Sequence, residues 1–254
     1  MKKVVILSGS GISVESGIPT FRAAADAMWE NYDVKKVCTH LAWMRNSDYV
    51  NQFYNMIRIK YQDCKPNDAH KLIKKLEDQY DVTVITQNVD NLHEQAGSSK
   101  VIHLHGELMK CCSEKDTENP DYWITLPQEG FGKTGLEIPD GKLAGDGSQL
   151  RPYIIFFDEN VPNMDRASKI IQEADLLVVI GTSLEVYPAA GLINYFDVMK
   201  PIVIIDPAEN IRDKIYIKNK PTIHIKKTAS EAMKNLMDNI ATYIRLGDAY
   251  NKIK

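Results

Sequence analysis

The feature of this sequence that most constrains its fold is an alternation between short apolar runs and longer segments with helical periodicity. The apolar runs contain almost no polar residue, which is typical of parallel strands that are buried on both faces. They are VVIL (4–7), VTVI (82–85), KVIHL (100–104), YIIFF (153–157), LLVVI (176–180), IVII (202–205) and TIHI (222–225). Segments 66–79, 162–174 and 228–247 each carry one apolar face at helical spacing. The alternation predicts an α/β fold with a doubly wound parallel sheet.

Two stretches interrupt this alternation. Residues 23–61 follow the first strand and its turn, and their sequence is helix-like and rich in aromatic residues. Residues 107–150 are rich in Gly, Pro, Asp and Glu, which favours turns and short hairpin strands. We expect these two insertions to pack together as a small module. The larger domain then consists of residues 1–22, 62–106 and 151–254.

Composition excludes several classes of protein. The formal net charge is −3, which gives no reason to expect binding to nucleic acid or to an anionic membrane. No apolar run approaches the roughly 20 residues that span a bilayer, and the run at the amino terminus is too short for a signal peptide. The four cysteines are too few for a disulfide scaffold, so we expect a protein of the reducing cytoplasm.

Glycines follow the first predicted strand at a position where a nucleotide could approach the backbone. Gly9 and Gly11 precede a helix, and glycines there let the main chain contact a pyrophosphate. The dinucleotide fingerprint requires a further glycine where this chain has Val14, which disfavours a hydride-transferring dehydrogenase. Downstream, Phe21 could cover a planar ligand and Arg22 could face phosphate. Alternatively, Phe21 fills the core and Arg22 forms a surface ion pair.

Polar side chains also follow the strand at 82–85. The segment TQNVDNLHEQAG (86–97) brings Gln87, Asn88, Asp90 and His93 to the carboxyl end of a predicted parallel strand. In open α/β sheets, ligands bind at that edge. The next strand ends in HLHGEL (103–108), which places two more histidines nearby.

Six segments, in this order along the chain, resemble the sirtuin family of NAD-dependent protein deacylases. They are GSGISVESGIPTFR (9–22), TQNVDNLH (86–93), HLHGEL (103–108), LRPYIIFFDENVP (150–162), GTSLEVYPAA (181–190) and IDPAEN (205–210). The resemblance implies a Rossmann-like domain that binds NAD and a small module grown from two insertions. It also implies that an acyl-lysine protein or peptide is the substrate.

The resemblance implies roles residue by residue. His105 would be the general base, and Asn88 and Asp90 would belong to the catalytic centre. The residues implied to bind NAD are Gly9, Ser10, Gly11, Ile18, Phe21, Arg22, Gln87, Asn88, Asp90, Gly181, Thr182, Ser183 and Asp206. The residues implied to bind the acyl substrate are Tyr54, Arg58, Phe157, Asp158, Glu159 and Val161. We expect His103 to be a structural residue that supports His105, because one base suffices.

The chain departs from the family pattern in its cysteines. Most relatives carry two C-x-x-C pairs that bind a structural zinc, whereas this chain has adjacent Cys111 and Cys112 and no later cysteine. Because four thiolates cannot assemble at the usual places, we expect no structural zinc. The small module would then be held by apolar contacts, for which the candidates are Tyr122, Trp123, Ile124, Leu126 and Phe131.

Further departures concern the substrate. Asp158 stands where the family usually has glycine, in a loop to which an extended peptide adds by β-augmentation. Its carboxylate could obstruct the peptide or favour a cationic residue beside the modified lysine. Relatives that remove acidic acyl groups have the motif Tyr-x-x-Arg at this place. This chain has Tyr54 and then Ile57 at the position of the arginine, with Arg58 one residue later. Tyr54 and Arg58 could therefore bind the carboxylate of an acidic acyl group, although the arginine is displaced by one position. Alternatively, Arg58 faces solvent. Asp206 replaces a usual asparagine and can still accept from ribose hydroxyls.

The sequence therefore predicts an NAD-dependent protein lysine deacylase, foremost a deacetylase, that releases nicotinamide and an O-acyl-ADP-ribose. A histidine suits the role of base because its ordinary pKa of ~6.5 lies near neutral pH. An NAD glycohydrolase or ADP-ribosyltransferase is the first alternative, since either could use the same pocket without an acyl-lysine. The second alternative is a non-catalytic sensor that binds NAD or ADP-ribose.

Overall fold

The larger sheet of the molecule is parallel and six-stranded. The structure, a computed structural model, describes residues 1–20, 33–209 and 221–251. Its strands are β1 (Lys3–Ser8), β2 (Asp81–Thr86), β3 (Val101–His103), β4 (Gly106–Ser113), β5 (Ile124–Thr125), β6 (Leu150–Ile154), β7 (Leu176–Ile180), β8 (Ile202–Ile205) and β9 (Thr222–Ile225). The larger sheet has the order β3-β2-β1-β7-β8-β9. The chain builds outward from β1 to β3 and then returns beside β1 at β7, so the topological switch point lies between β1 and β7.

The described residues also form α-helices and short 3-10 helices. The α-helices are α1 (Val34–Val37), α2 (His40–Arg45), α3 (Ser47–Tyr61), α4 (Asp68–Leu76), α5 (Leu92–Gln95), α6 (Met164–Gln172) and α7 (Ala229–Asn251). Short 3-10 helices span Ser10–Ser16, Pro120–Tyr122 and Ala189–Tyr195. Asn67 is the N-cap of α4, because its side chain accepts from the N–H groups of Ala69 and His70.

Each face of the sheet is covered by its own apolar layer. On one face, α6 and the 3-10 helix 189–195 contribute buried residues such as Ile171 and Leu192, which pack with Val5 and Val179. On the other face, α4 and α7 bury residues such as Ile73 and Leu236. Because every strand residue of β7 and β8 is buried, these strands need the continuous apolarity that the sequence shows. The predicted α/β, Rossmann-like doubly wound fold is confirmed.

A second, smaller sheet is antiparallel and has the order β5-β4-β6. The prediction that 153–157 forms another strand of the parallel sheet is wrong, because β6 ends at Ile154 and pairs antiparallel with β4. An apolar run that is buried on both faces does not by itself distinguish a strand of one sheet from a strand of another. A core of Cys111, Leu126, Phe131 and other apolar residues packs against this sheet. The expected apolar contacts of Leu126 and Phe131 are therefore present.

The helices of the first insertion pack against the second. A cluster of buried side chains from α1, α2 and α3, including Trp43, Phe53 and Tyr54, contacts Leu108 of β4 and Phe156. The predicted boundary at residues 150 and 151 falls inside β6, and the division of the chain into two modules remains a prediction. Within the described ranges, every helix is too short or too polar to cross a membrane.

Candidate functional site

The candidate site lies at the carboxyl ends of β1, β2 and β7, where two glycine turns touch. Gly9 N–H donates to the carbonyl of Ile180, and Gly11 N–H donates to the carbonyl of Gly181. A Cβ on Gly9 would lie 2.6 Å from the Cβ of Thr182, and a Cβ on Gly11 would lie 2.7 Å from the Cα of Gly181. Gly181 also has a positive φ of 63°. The glycines are therefore needed for the two turns to meet, and they leave the main chain bare of side chains there.

Polar side chains line this bare main chain. Gln87 Nε2 donates to Thr182 Oγ1 at 3.0 Å, which ties the end of β2 to the end of β7. Ser10 begins the 3-10 helix of residues 10–16 that follows β1, Ile18 comes after that helix, and Ser183 lies in the loop after β7. The set offers hydroxyl, amide and backbone groups around a glycine-lined edge, which fits a polar, phosphate-bearing dinucleotide such as NAD. The predicted NAD-binding residues of β1, β2 and β7 thus lie on one edge.

A hydrogen-bonded chain fixes the two polar residues that follow β2. Asn88 Nδ2 donates to Ser13 Oγ at 3.1 Å, and Ser13 Oγ donates to Asp90 Oδ2 at 2.9 Å. Asp90 Oδ1 accepts from the N–H of Leu92 at 3.1 Å. Burial raises the pKa of Asp90, and the bonds from Leu92 and Ser13 oppose that effect. Each Asp90 oxygen keeps room for one more donor, such as an amide.

His105 follows β3 and is held by a backbone carbonyl. Its Nδ1 lies 2.9 Å from the carbonyl oxygen of Gln87, and a carbonyl can only accept. Nδ1 therefore carries the proton, and Nε2 keeps a free lone pair. Burial lowers the pKa of His105, and the bond to Gln87 only partly opposes it. The ring is neutral at pH 7 and can accept a proton at Nε2.

His103 has two acceptors and takes the opposite charge state. Its Nδ1 lies 2.8 Å from the carbonyl oxygen of Asn88, and its Nε2 lies 2.9 Å from Glu94 Oε1. Burial alone lowers the pKa of His103, but the hydrogen bond and charge of Glu94 outweigh burial and raise it. The two rings thus bond to successive carbonyls of the loop that carries Asn88 and Asp90. The prediction that His103 has a supporting role agrees with this position.

Two further histidines lie buried beneath the site. His93 Nε2 is hydrogen-bonded to Ser8 Oγ at 3.1 Å, and the His93 ring meets the His70 ring edge-on with centroids 4.8 Å apart. His70 Nδ1 donates to Asn67 Oδ1 at 3.1 Å. Burial lowers the pKa of His70 to about 4 and that of His93 well below its ordinary value. Both rings are neutral residues of the core.

The predicted substrate residues lie on a loop that leaves β6. Phe157 is 47% exposed, and Asp158 is exposed with a positive φ of 75°. Val161 packs partly buried against the sheet core. Glu159 turns inward, where its carboxylate accepts from both terminal nitrogens of Arg151 at 2.6 and 3.0 Å. Asp158 stands where the family usually has glycine, and its backbone adopts the left-handed conformation that favours glycine.

Tyr54 and Arg58 both point into the protein. Tyr54 Oη donates to Cys38 Sγ at 3.7 Å. Arg58 is buried, and it donates from Nε to the carbonyl of Leu108 at 2.6 Å and from Nη1 to Asn55 Oδ1 at 2.8 Å. Its Nη2 has no hydrogen-bond partner among the described residues. The alternative that Arg58 faces solvent is wrong, because the guanidinium is buried against β4.

One predicted NAD residue lies farther along the same edge, after β8, and two lie outside the described residues. Asp206 follows β8, and its Oδ1 accepts from the N–H of Ala208 at 2.8 Å, which closes a turn. Phe21 and Arg22 lie outside the described residues, so their positions remain predictions.

The cysteines are separated rather than clustered. Cys111 and Cys112 are neighbours on β4 and therefore point to opposite faces, and both are buried. Burial raises their pKa values to about 11 and about 12, so both thiols stay protonated. Among residues 1–20, 33–209 and 221–251, no group of three or more His, Cys, Asp or Glu side chains could hold a metal ion.

Sequence reasoning missed several residues that shape the site. Ser13 joins Asn88 to Asp90, Glu94 charges His103, and Arg151 holds Glu159. Each is separated from its partner by several residues or more, so local spacing carries no signal for the pairing. Asn67, the N-cap of α4, also donates from Nδ2 to the carbonyl of Ile12 at 2.7 Å. Only the buried environment of these polar atoms makes their pairing necessary.

Comparison with known proteins gives one consistent result. A model of the Sir2 family matches residues 9–188. A protein of Bacteroides thetaiotaomicron named NAD-dependent protein deacylase is 45% identical over 237 residues, which is 93% of this chain and 97% of that protein. A Helicobacter pylori protein of the same name is 43% identical over 243 residues, with 94% and 98% covered.

Solved structures agree with these relatives. A Sir2 homologue in complex with NAD is similar with a TM-score of 0.76 and 32% identity, covering 96% of this chain and 91% of that chain. A Sir2 protein bound to an acetylated peptide is similar with a TM-score of 0.71 and 28% identity, covering 94% and 93%.

Proposed function

This chain belongs to the Sir2 family, and we propose that it is an NAD-dependent protein lysine deacylase that acts on neutral acyl groups, foremost acetyl. The observation that carries the proposal is His105, whose Nδ1–H is committed to the Gln87 carbonyl and whose Nε2 is free to take a proton. NAD, when bound, supplies an electrophilic ribose carbon and a departing nicotinamide. A neutral, half-buried imidazole held at the Gln87 carbonyl suits the proton transfer from a ribose hydroxyl that the reaction then needs.

The remaining residues have positioning and binding roles in this proposal. Gly9, Gly11 and Gly181 let the dinucleotide approach the main chain, and Gln87 and Thr182 supply polar atoms at the same edge. We also assign Ser10, Ile18, Ser183, Asp206, Phe21 and Arg22 to NAD, on the strength of the family resemblance. Water must be excluded from the reacting carbon, because water would capture it and release ADP-ribose.

The buried pair in α3 supports the choice of a neutral acyl group. Arg58 already donates to Leu108 and Asn55, and Tyr54 donates to the Cys38 thiol. Ile57, which stands at the third place after Tyr54, is half-buried against the apolar cluster of α1–α3. An apolar side chain there gives a carboxylate no donor, so an acidic acyl group would lose its hydration without compensation.

We also propose that no zinc holds the small module. Cys111 and Cys112 point to opposite faces, and the other two cysteines, Cys38 and Cys64, lie in the first insertion and after it. All four cysteines fall within the described residues and are unpaired, which supports a reducing, cytoplasmic location. The net charge of −3 supports a protein partner over nucleic acid or an anionic membrane.

One observation favours a second candidate, an NAD glycohydrolase. Asp158 places an exposed carboxylate on the loop that would receive the peptide. A carboxylate in that position can reject a peptide and leave water as the acceptor.

A single assay separates these activities. The protein is incubated with NAD, with and without an acetyl-lysine peptide, and nicotinamide and O-acetyl-ADP-ribose are measured. Release of nicotinamide that depends on the peptide supports the deacylase, whereas release without the peptide supports the glycohydrolase. Absence of release in both arms contradicts both enzymes.

The role of His105 is tested by His105→Ala, which removes the base. Formation of O-acetyl-ADP-ribose should fall by roughly 100-fold or more, the usual contribution of a general base. Exchange of labelled nicotinamide into NAD in the presence of peptide should persist, because it precedes the proton transfer. O-acetyl-ADP-ribose formation within a few-fold of the parent would rule out His105 as the base.

A further inference from the structure

The carboxylate of Glu159 is fully occupied by donors from inside the protein. Oε1 accepts from Arg151 Nη1 at 2.6 Å and from His40 Nδ1 at 3.0 Å. Oε2 accepts from Arg151 Nη2 at 3.0 Å and from the N–H of Phe156 at 2.8 Å. A carboxylate has about four lone-pair sites, and here four donors fill them. Glu159 therefore has no remaining acceptor site for a substrate.

Arg151 is built into the base of the same loop. Its side chain is 1% exposed, its Nη2 also donates to the carbonyl of Ile154 at 2.8 Å, and its guanidinium stacks on the Phe156 ring at 4.0 Å. The bidentate pair with Glu159 is the planar geometry that arginine forms with carboxylates. It joins the last residues of β6 to the loop that follows.

The loop is also paired with the first insertion. Phe157 N–H donates to the carbonyl of Cys38 at 2.8 Å, and His40 N–H donates to the carbonyl of Phe157 at 3.3 Å. Thr39 and Phe157 form an isolated parallel bridge. The hydrogen bond from the His40 side chain to Glu159 joins the same two segments a further time. Asp158 stands in the left-handed region between these anchors, so the loop conformation depends on them.

We propose that Glu159 is a positioning residue for the acyl-lysine peptide, and that Arg151 and His40 act through it. The unit fixes the backbone of residues 156–159 in the shape that presents Phe157 and Asp158 at the surface. This proposal rests on the deacylase function proposed above, and it replaces direct substrate contact by Glu159 with an indirect role. Loss of the unit should weaken peptide binding while the chemical step and NAD binding are preserved.

The kinetic test compares Glu159→Gln with a matched control. Glu77→Gln is the control, because the Glu77 side chain is also largely buried and also accepts hydrogen bonds, from the N–H of Ser99 and from Lys74. Lys74 lies on α4 and Ser99 precedes β3, so these bonds do not involve the loop that follows β6. Glu159→Gln should raise the KM for an acetyl-lysine peptide about tenfold, since loss of charge-assisted hydrogen bonds weakens the held loop. The KM for NAD and the kcat at saturating peptide should stay within about threefold, as expected for an interaction that is the same in the ground and transition states. Glu77→Gln should leave the peptide KM unchanged.

A second pair of variants guards against misfolding of the first. His40 is 44% exposed, so its replacement does not open the core. His40→Ala should raise the peptide KM, and His40→Gln, which keeps an N–H donor, should restore much of the loss. An unchanged peptide KM in both Glu159→Gln and His40→Ala, or a fall in kcat at constant peptide KM, would overturn the proposal.

A measurement without substrates separates this proposal from the deacylase function. Hydrogen–deuterium exchange of peptides that cover 36–45 and 152–162 should quicken about tenfold in Glu159→Gln and not in Glu77→Gln, because local opening exposes paired N–H groups. Unchanged exchange contradicts the positioning unit whatever the activity. If the parent instead shows no peptide-dependent release of nicotinamide, the deacylase function fails, and the exchange result still tests the unit.

Discussion

Buried neutral histidines should make this protein sensitive to mild acid. His70 is fully buried, and its Nε2 has no hydrogen-bond partner among the described residues. Burial lowers its pKa from 6.5 to about 4. The unfolded chain binds a proton at His70 below pH ~6.5, and the folded chain does so only near pH 4, so stability is lost as the pH falls through this window. Above pH ~6.5 the His70 contribution is fully retained.

The size of the loss follows from proton linkage. Between pH 7.5 and pH 5.0, His70 alone should lower the free energy of unfolding by about 2 kcal/mol. His93 acts in the same direction, because burial also lowers its pKa. His103 acts in the opposite direction, because Glu94 raises its pKa. The variant that isolates His70 is His70→Phe, which keeps a ring against His93 and cannot titrate.

The assay is urea unfolding at pH 7.5 and pH 5.0 for the parent and for His70→Phe. The drop in unfolding free energy between the two pH values should be about 2 kcal/mol smaller in the variant, whatever its stability at pH 7.5. Ile73→Val on the same helix is the control, since it should cost about 1 kcal/mol equally at both pH values. If the parent and His70→Phe lose the same free energy within about 0.5 kcal/mol, His70 is not a buried neutral group in the folded protein.

Three further predictions concern other parts of the molecule. Gly181→Ala places a methyl group against the backbone nitrogen of Ile12 at a φ of 63°. It should therefore lower the unfolding free energy by at least about 1 kcal/mol and weaken NAD binding, as measured by urea unfolding and calorimetry. Ser113→Ala removes the donor that bonds Asp146 Oδ2 at 2.6 Å, so it should lower the melting temperature, and mass spectrometry should find no bound zinc in the parent or in the variant. Ile57→Arg restores a Tyr-x-x-Arg pattern in α3, so it should raise the ratio of succinyl-lysine to acetyl-lysine turnover in a peptide assay. An unchanged ratio would show that position 57 does not face the acyl group.

The strands of the large sheet were predictable because burial on both faces demands nearly continuous apolarity. The β7 run LLVVI and the β8 run IVII match the strands residue for residue. The run YIIFF failed for a physical reason. Its first residues pair antiparallel with β4, whereas Phe156 and Phe157 turn out of the strand, one into the core of the insertion and one to the surface. Pairing partners depend on tertiary position, which the run does not encode.

The candidate site was predictable where the fold alone brings residues together. Gly9, Gln87 and Thr182 each follow a parallel strand, and the carboxyl ends of such strands share one edge. The partners that set charge and orientation were not predictable in this way. Glu94 lies on the short helix α5, whereas His103 ends β3. Nothing in HLHGEL indicates that only one of its histidines bonds to a carboxylate.

That difference decides which histidine can serve as a base. His103 and His105 bond to successive backbone carbonyls through Nδ1, so both rings carry a proton on that nitrogen. The distinction arises at Nε2: His103 faces the Asn88 carbonyl at Nδ1 and the Glu94 carboxylate at Nε2, so both of its nitrogens donate, and Glu94 raises the pKa of this ring. A charged ring has no lone pair and cannot accept a proton, whereas the neutral ring of His105 can. Under the proposed function, the Glu94 carboxylate distinguishes the two roles: it holds a protonated His103 against the Asn88 loop, and its absence from His105 leaves Nε2 of that ring able to accept a proton.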